Sequence, residues 1–348
     1  MTGRDRFEAG AHMRTEIAEQ PARWLDLLDH EQAKLLAAAE LIRGIDPELL
    51  VFAARGSSDH AAMYGQYLAH NVLGIPAMLS TPSTVTAFGI RLNYPTSVMI
   101  AVSQSGESPD LLDTVRAAKH TGVPVIALTN NEGSALAGLA DVHVCLMAGP
   151  ERSVAATKTY TAELLALYMV LTLAAGGSWA VAMGKAKAAA DAAARVIDQT
   201  NASAKDFAHA LADADRILVV GRGYSMSTAK EGALKLMETN AIAASGWSAA
   251  DATHGPLGQV VPGTPVIALT ASPGGRESVQ AFVEASQALG GRIIELALPG
   301  GNGPQTIDPA LIPLVEIIPL QQLALKLALD RGIDPDKPAG LKKVTKTV

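Results

Sequence analysis

Residues Ser97–Asp110 read SVMIAVSQSGESPD, an apolar run followed by a hydroxyl-rich turn. The apolar run, Ser97–Val102, is typical of a buried strand in a parallel sheet. Ser108 is a favourable N-cap and Pro109 suits the first helical position, so the pattern predicts that a helix begins there. A helix N-terminus carries unpaired N–H groups, and neighbouring hydroxyls can complete a pocket for an anion. The turn therefore predicts a site for a phosphate monoester; the plainer alternative is a capped turn that binds nothing.

The chain also contains an internal repeat. Arg, Gly and Ser at positions 55, 56 and 58 recur at 222, 223 and 225, an offset of 167 residues. Both segments follow apolar runs, Leu49–Ala53 and Arg216–Val220, and further strands are predicted at Val123–Leu128 and Arg292–Leu296. Repeated strand–loop–helix units with short loops predict an α/β protein made of two tandem, doubly wound domains with parallel sheets.

The repeat also sets the expected domain limits. We expect an N-terminal arm and helix over residues 1–30, with the arm extending through His12. A first domain is expected over residues 31–185 and a second over 186–348. The Ala-rich stretch Trp179–Ala194 predicts a helical connector that continues to Ile197.

Composition and charge argue against several classes of protein. The 348 residues are 49% hydrophobic and 18% charged, which is typical of a globular chain. A net charge of −6 and an aromatic content of 4% argue against a nucleic-acid partner. The single cysteine, Cys145, argues against a disulfide framework and suits a cytoplasmic protein. The apolar stretch Leu164–Ala175 is too short to span a bilayer, so no membrane partner is expected, and no residue cluster has metal-ligand spacing.

Two further segments carry candidate catalytic groups. Glu231, Lys235 and Glu238 are spaced by four and three residues, so a helix would place them on one face. Such spacing is more often a solvated ion-pair face than a catalytic group. His254 lies in the turn DATHGP, residues 251–256, whose Gly-Pro end restricts the backbone. A histidine held in this way suits proton transfer near neutral pH, and a capping or packing role is the alternative.

Four motifs taken together resemble the SIS (sugar isomerase) family. They are VSQSGES from Val102, EGALKLME from Glu231, HGPL from His254 and LKKVT from Leu341. The resemblance covers nearly the whole chain from about Glu16. The branches of the family that it suggests are the isomerase half of glucosamine-6-phosphate synthase and the SIS-type glucosamine-6-phosphate deaminases. It implies that the two domains are flavodoxin-like.

The resemblance implies a role for each matching residue. Glu238 is expected to carry a proton between C1 and C2 of the sugar, and His254 to open the sugar ring from a neighbouring subunit. Lys343 is expected to contact the open-chain sugar and, as in the synthase, to form an imine with the ketose. Ala156 stands where the synthase pattern has serine, so one hydrogen bond to the sugar is lost. The other implied substrate-binding residues are Ser58, Ser103, Gln104, Ser105, Ser108, Glu231 and Lys235.

The resemblance also leads to an expected reaction. The synthase has an N-terminal glutaminase domain that supplies ammonia, whereas this sequence begins at the SIS part, so breakdown of an amino sugar is expected. The leading hypothesis is a glucosamine-6-phosphate deaminase without a metal or redox cofactor. It is expected to be a homodimer or larger homo-oligomer with its active sites at the subunit interface. A fructosamine-type deglycase and an aldose–ketose isomerase stay open as alternatives, and a non-catalytic sugar-phosphate sensor is less favoured.

Overall fold

Two parallel β-sheets form the framework of the protein. The computed structural model describes residues 8–296, 298 and 307–343. The strands are β1 Leu49–Ala53, β2 Ala77–Leu79, β3 Ser97–Ser103, β4 Val125–Thr129, β5 Val142–Cys145, β6 Arg216–Gly221, β7 Ala243–Ser248, β8 Pro265–Leu269 and β9 Arg292–Leu296. The first sheet has the order β2-β1-β3-β4-β5 and the second β7-β6-β8-β9, and all neighbouring strands are parallel. Both orders reverse beside the first strand of the sheet, which confirms the predicted doubly wound α/β class.

Helices cover both faces of each sheet. Those within the described residues are α1 Ala11–His30, α2 Gln32–Ile45, α3 Ser57–Leu68, α4 Pro82–Thr86, α5 Pro109–His120, α6 Ala135–Leu139, α7 Lys158–Ala174, α8 Trp179–Ala210, α9 Ser225–Asn240, α10 Ala249–Ala252, α11 Arg276–Ala288 and α12 Ile312–Asp330. A π-helical turn, Ala69–Leu73, extends α3, and short 3-10 turns occupy Pro256–Gln259, Pro273–Gly275 and Pro309–Leu311.

One continuous hydrophobic core joins the two sheets. Phe52 and Ile100 from the first sheet and Val219 and Ile267 from the second belong to the same cluster of buried residues. Smaller clusters lie on the outer faces, under α5 in the first domain and under α11 in the second. Because apolar burial is the main stabilising contribution, this shared core binds the two halves into one unit.

The connector between the domains is longer than the sequence analysis suggested. Helix α8 has 32 residues, and the Oγ of Ser178 caps its amino end by accepting a hydrogen bond from the Val181 amide. The predicted domain limit between residues 185 and 186 falls inside this unbroken helix. The later turns of the helix bury Ala204 and Ala208, and α8 packs mainly on α12 and α1, which are distant in the sequence.

The N-terminal arm is shorter than predicted. Helix α1 begins at Ala11, and the Asp336 carboxylate accepts hydrogen bonds from the backbone N–H groups of His12 and Met13 at 2.9 and 2.8 Å. These bonds satisfy two amides of the first helical turn, which have no partner within the helix. The expectation of an arm through His12 is therefore wrong for its last residues, while residues 1–7 lie outside the described part of the chain.

One helical stretch within the described residues, Pro309–Asp330, is long and apolar enough to cross a membrane by length and composition alone. Of its most apolar 18-residue window, 94% is buried inside the fold. Helix α7, which contains the apolar stretch noted in the sequence, is also buried over almost all of its length. Both helices therefore act as core helices, as the sequence predicted for Leu164–Ala175.

Candidate active site

A cavity of about 330 Å³ lies at the carboxyl ends of β1 and β3, where the strand order of the first sheet reverses. Ligands of open parallel sheets bind at this position. The turn after β1 and the loop after β3 contribute one wall, and α9 and the last described residues contribute another. The lining residues are Arg55, Gly56, Ser57, Ser58, Ser103, Gln104, Ser105, Ser108, Val154, Ala156, Glu238, Leu341, Lys342 and Lys343.

The loop after β3 brings serine hydroxyls to this cavity. Ser103 Oγ accepts a hydrogen bond from the Gly106 amide at 3.1 Å, and Ser105 Oγ accepts one from the Glu107 amide at 3.3 Å. Because each hydroxyl is used here as an acceptor, its proton stays available for an anion. Gly106 has a φ of 66°, and a Cβ at this position would lie 2.4 Å from Ser134 Oγ, so the turn requires glycine.

The amino end of α5 completes this part of the cavity. Ser108 occupies the predicted N-cap position; its side chain makes no capping hydrogen bond and lines the cavity. Arg55 donates from Nε to Oδ2 of the buried Asp110 at 2.7 Å. The hydroxyl-rich loop itself has no cation, and sequence reasoning missed that the fold brings Arg55 beside it. The Arg-Gly-x-Ser repeat was the available signal.

A buried carboxyl group lies beneath the turn after β1. Ser58 lines the cavity and donates its hydroxyl proton to Glu163 Oε1 at 2.7 Å. Burial raises the pKa of Glu163 well above its usual range, and the hydrogen bond from Ser58 offsets part of this. Glu163 therefore orients the hydroxyl of Ser58. This role could not be predicted from the sequence, because Glu163 lies beside the apolar run of α7.

The Glu231–Lys235–Glu238 face of α9 is turned into the protein. Lys235 Nζ lies 2.6 Å from Glu238 Oε2, 3.1 Å from Glu231 Oε1 and 3.1 Å from Ser57 Oγ. The side chains of Lys235 and Glu231 are fully buried, whereas Glu238 is 21% exposed and lines the cavity. The interpretation of this spacing as a solvated ion-pair face is therefore wrong.

The charges of this cluster stabilise one another. Burial opposes the ammonium form of Lys235, but the carboxylates of Glu231 and Glu238 outweigh burial and raise its pKa. Burial likewise opposes the charged form of Glu231, but Lys235 and His60 together lower its pKa. His60 Nδ1 lies 2.8 Å from Glu231 Oε2, a contact that sequence reasoning missed. Its position two residues after Ser58, in the same turn of α3, was the only signal for it.

Lys343 lies at the cavity and is held by a buried carboxylate. Its Nζ is 2.8 Å from Glu151 Oε2 and 2.8 Å from the Ser153 carbonyl oxygen. Glu151 also accepts hydrogen bonds from Thr157 and Thr159 at the amino end of α7. Burial alone would raise the pKa of Glu151, but Lys343 and the two threonines lower it. Lys343 thus presents a paired ammonium group to the cavity, and imine formation would require this pair to separate.

The structure brings the predicted residues together with one exception. Gln104 and Ala156 line the cavity, and Lys235 and Glu231 lie behind Glu238. His254 is exposed in the turn after α10, where its amide donates to the Asp251 carbonyl oxygen, and it is not among the lining residues. Within residues 8–296, 298 and 307–343, no group of three or more His, Cys, Asp and Glu side chains is placed to hold a metal ion.

Comparison with known proteins agrees with this geometry. The SIS domain family model matches residues 45–173 and 210–301, more than half of the chain. The chain is 34% identical over 97% of its length to the glutamine–fructose-6-phosphate aminotransferase (isomerizing) of Methanothermobacter thermautotrophicus, and 35% identical over 95% to that of Aeropyrum pernix. It spans 58% and 56% of these two relatives, a little over half of their length. The protein belongs to the SIS domain family.

Solved structures share the same fold. A protein from Silicibacter pomeroyi, provisionally described as a phosphosugar isomerase, is 32% identical with a TM-score of 0.83, covering 93% of this chain and 99% of the other. The C-terminal domain of the glucosamine-fructose-6-phosphate aminotransferase of Francisella tularensis is 23% identical with a TM-score of 0.83, covering 97% and 100%. The glucosamine-6-phosphate deaminase of Thermotoga maritima is 22% identical with a TM-score of 0.75, covering 93% and 100%. At 23% and 22% identity, the Francisella tularensis and Thermotoga maritima structures show a shared fold and nothing about activity.

Proposed function

We propose that the protein is an amino-sugar-phosphate deaminase, which converts glucosamine 6-phosphate and water to fructose 6-phosphate and ammonia. The observation that carries this proposal is a single cavity with the hydroxyl-rich loop on one wall and Glu238, paired with Lys235, on another. A phosphate anchor and a carboxylate that face the same space suit proton transfer along the carbon chain of a bound sugar phosphate. The names of the relatives support this substrate class, since they contain fructose 6-phosphate, the ketose of this reaction.

The phosphate group of the substrate is bound by the loop after β3. Ser103, Ser105 and Ser108 donate hydroxyl protons to its oxygens, and the amino end of α5 adds its positive potential. Arg55 is already paired with Asp110, so hydrogen bonds and not a free cation provide most of the affinity. Gln104 and Ser58 face the sugar hydroxyls, and Ala156 offers only an apolar contact.

The chemical steps use one carboxylate. Ring opening exposes the C1 aldehyde, and Glu238 then removes the C2 proton while the C1 oxygen takes up a proton from water, which gives an enol with the amino group still on C2. The same carboxylate returns the proton to C1, and the amino nitrogen gives up one proton to water, which converts C2 to an imine. Water adds to C2 and ammonia leaves, so that a ketone remains. Lys235 stays protonated and holds Glu238 in position, and Lys343 contacts the oxygens of the open chain through its ammonium group.

Deamination needs only water as the second reactant, and the proton-transfer steps use residues that line the described cavity. Ring opening is assigned to His254 of a neighbouring subunit, because His254 is exposed and lies outside the cavity of its own chain. The protein is accordingly expected to be a dimer or larger homo-oligomer with its active sites at the interface. The cytoplasmic location suggested by the lone Cys145 stays a prediction.

An aldose–ketose isomerase is the second candidate. The Glu238–Lys235 pair favours it equally, because moving a proton between C2 and C1 also interconverts an aldose phosphate and a ketose phosphate. The two functions differ only in whether C2 carries nitrogen. A fructosamine-type deglycase would instead release an amine from a ketose derivative.

A substrate panel separates these functions. Ammonia release is measured with glucosamine 6-phosphate, galactosamine 6-phosphate and a fructosamine 6-phosphate, and ketose formation is measured with glucose 6-phosphate, each against Glu238→Gln as the inactive control. The proposal expects ammonia from a hexosamine 6-phosphate at least tenfold faster than any turnover of glucose 6-phosphate. Turnover of glucose 6-phosphate alone would establish the isomerase in its place, and amine release from the fructosamine alone would establish the deglycase.

A further inference from the structure

A second cavity, of about 350 Å³, lies at the corresponding position of the second sheet. It is lined by the turn Arg222–Tyr224, which follows β6, and by Ser272, which follows β8. These strands are neighbours where the order of the second sheet reverses, as β1 and β3 are in the first. The turns after β1 and β6 also both contain a glycine with positive φ, 58° at Gly56 and 61° at Gly223.

Ser272 is a largely buried serine at this cavity. The residue is 7% exposed, lines the cavity, and occupies the N-cap position of the 3-10 turn Pro273–Gly275 without a side-chain capping hydrogen bond. Under the offset of 167 residues it corresponds to Ser105 of the first cavity. Because the Ser272 hydroxyl is not used as a helix cap, it can donate to or accept from a ligand that enters the cavity.

Arg222 supplies an uncompensated charge beside it. Its Nη1 donates to Ser248 Oγ at 2.9 Å, and no carboxylate of the described residues lies within ion-pair distance of it. The corresponding Arg55 differs, because it is paired with Asp110. The loop after β8 packs closely on the stem of Arg222: a Cβ at Gly275 would lie 2.4 Å from Arg222 Cβ. Arg222 and Ser272 therefore line the same cavity, and the stem of the arginine packs against the loop that carries the serine.

The other walls suit a ligand larger than inorganic phosphate. Tyr67 and Tyr224 line the cavity, and their rings meet edge to face with centroids 6.2 Å apart. Asn71, at the same rim, adds an amide that can both donate and accept. Aromatic walls with a few polar groups are typical of sites for small organic ligands.

We propose that this cavity is a second binding site for a phosphate monoester of a small polyol or sugar, with its phosphate on Arg222 and Ser272. The site is separate from the candidate active site and uses a charged donor where the first uses neutral hydroxyls. Its occupancy does not depend on the deaminase function, because it is formed by the second sheet and the end of α3.

Calorimetric titration of the full chain with glucitol 6-phosphate tests this site. This probe has a phosphate monoester but no carbonyl or amine, so it cannot turn over. Two equivalents per chain are expected. Arg222→Gln and Ser272→Ala should each weaken binding at the second cavity by about tenfold or more and leave binding at the candidate active site unchanged. This is the effect expected for the loss of one hydrogen bond to the phosphate group. Ser105→Ala should weaken binding at the candidate active site only.

The variants also distinguish failure of this proposal from failure of the proposed function. A single equivalent that Ser105→Ala alone weakens would overturn the second site and leave the first intact. A class that responds to Arg222→Gln and Ser272→Ala but not to Ser105→Ala supports the second site whatever the activity. If Arg222→Gln lowers the melting temperature, Ser272→Ala, which removes one hydroxyl only, decides the result. Inorganic phosphate that binds this class as tightly as glucitol 6-phosphate would overturn the assignment to a monoester.

Discussion

Lys235 Nζ lies 2.6 Å from Glu238 Oε2, but only the Glu238 side chain is partly exposed. The lysine is fully buried against Glu231 and Ser57, whereas the carboxylate reaches the cavity. A charge held in a poorly solvated site acts strongly on its neighbour. Lys235 therefore acts as a buried positioning group, and Glu238 is the member of this pair that can contact a substrate.

Replacing Glu238 with Gln should remove the base and keep its size. We expect kcat for ammonia release to fall by about a hundredfold or more with little change in KM. Exchange of the C2 proton with deuterated water, followed by NMR, should be lost in parallel. Glu40→Gln is the matched control, because it breaks an exposed i,i+3 ion pair with Arg43. Normal turnover and exchange in Glu238→Gln would make Glu231 the candidate base.

Ser105→Ala should weaken phosphate binding. Loss of one hydroxyl donor is expected to raise KM for glucosamine 6-phosphate about tenfold and to leave kcat within a few-fold. Free glucosamine should be a poor substrate of the unaltered protein. Ser83→Ala, an exposed serine outside the cavity, serves as control in the steady-state assay. Equal turnover of glucosamine and its 6-phosphate would rule out the loop as the phosphate anchor.

Subunit mixing tests the assignment of His254. If His254 completes the site of a neighbouring subunit, Glu238→Gln and His254→Ala chains are each inactive but form hybrid dimers with one intact site. An equal mixture should recover about a quarter of the normal activity, because half of the dimers are hybrids and half of their sites are intact. Activity is measured after subunit exchange has been verified by mass spectrometry. No recovery would place both residues in the same chain's site.

His60 should stabilise the buried cluster through Glu231. His60→Ala leaves Glu231 Oε2 without this partner, so the free energy of unfolding in urea should fall by about 1–3 kcal/mol. His60→Gln keeps a donor at this position and should recover part of the loss. His120→Ala, an exposed histidine at the end of α5, is the control. Equal stability of His60→Ala and the unaltered protein would show that the contact contributes nothing.

Glu316 should make stability depend on pH. Burial raises its pKa from 4.5 to about 7, although the Ser225 hydroxyl and the Ala271 amide offset part of the effect. The folded protein thus holds the proton more tightly than the unfolded chain, so this stabilisation is present below about pH 4.5 and is lost as the pH rises through 7. The loss amounts to about 3 kcal/mol.

Glu316→Gln mimics the protonated carboxyl group and should abolish this dependence. The unfolding free energy is measured in urea at each pH. Between about pH 5 and pH 8, that of the unaltered protein should fall relative to that of the variant as the pH rises. Glu16, whose pKa burial also raises to about 7, titrates in the same window, and the difference between the two proteins cancels its contribution. A difference independent of pH would show that Glu316 is ionised throughout.

The sequence was sufficient for most of the fold. Leu49–Ala53 and Arg292–Leu296 are strands with the predicted limits, and α5 begins at Pro109 as predicted. These elements could be predicted because short apolar runs and a Ser-Pro start are local signals. The full length of α8 was not predicted, since its continuation depends on packing against helices far away in the sequence.

The site was only partly predictable for the same reason. The hydroxyl loop and the spacing of α9 are local, and both lead into the cavity. The burial of Lys235 is not local: its spacing is that of any surface ion pair, and only the packing of α9 on α3 shows the difference. The contacts of three further residues could not be predicted, because each joins positions more than a hundred residues apart and no local spacing indicates such a pair. They are His60 with Glu231, Glu151 with Lys343, and Glu163 with Ser58.

Helix α8 has a consequence for how this protein can move. Its 32 residues form a rod of about 48 Å that belongs to both domains, and the core beside it is shared. Hinge closure, by which many two-domain enzymes shield their reactants from water, needs a flexible crossing point that this rod does not provide. The described wall on that side of the cavity is the segment Leu341–Lys343, which is held by the contact between Lys343 and Glu151, so cover for the reactants falls to this segment and to the neighbouring subunit of the proposed oligomer.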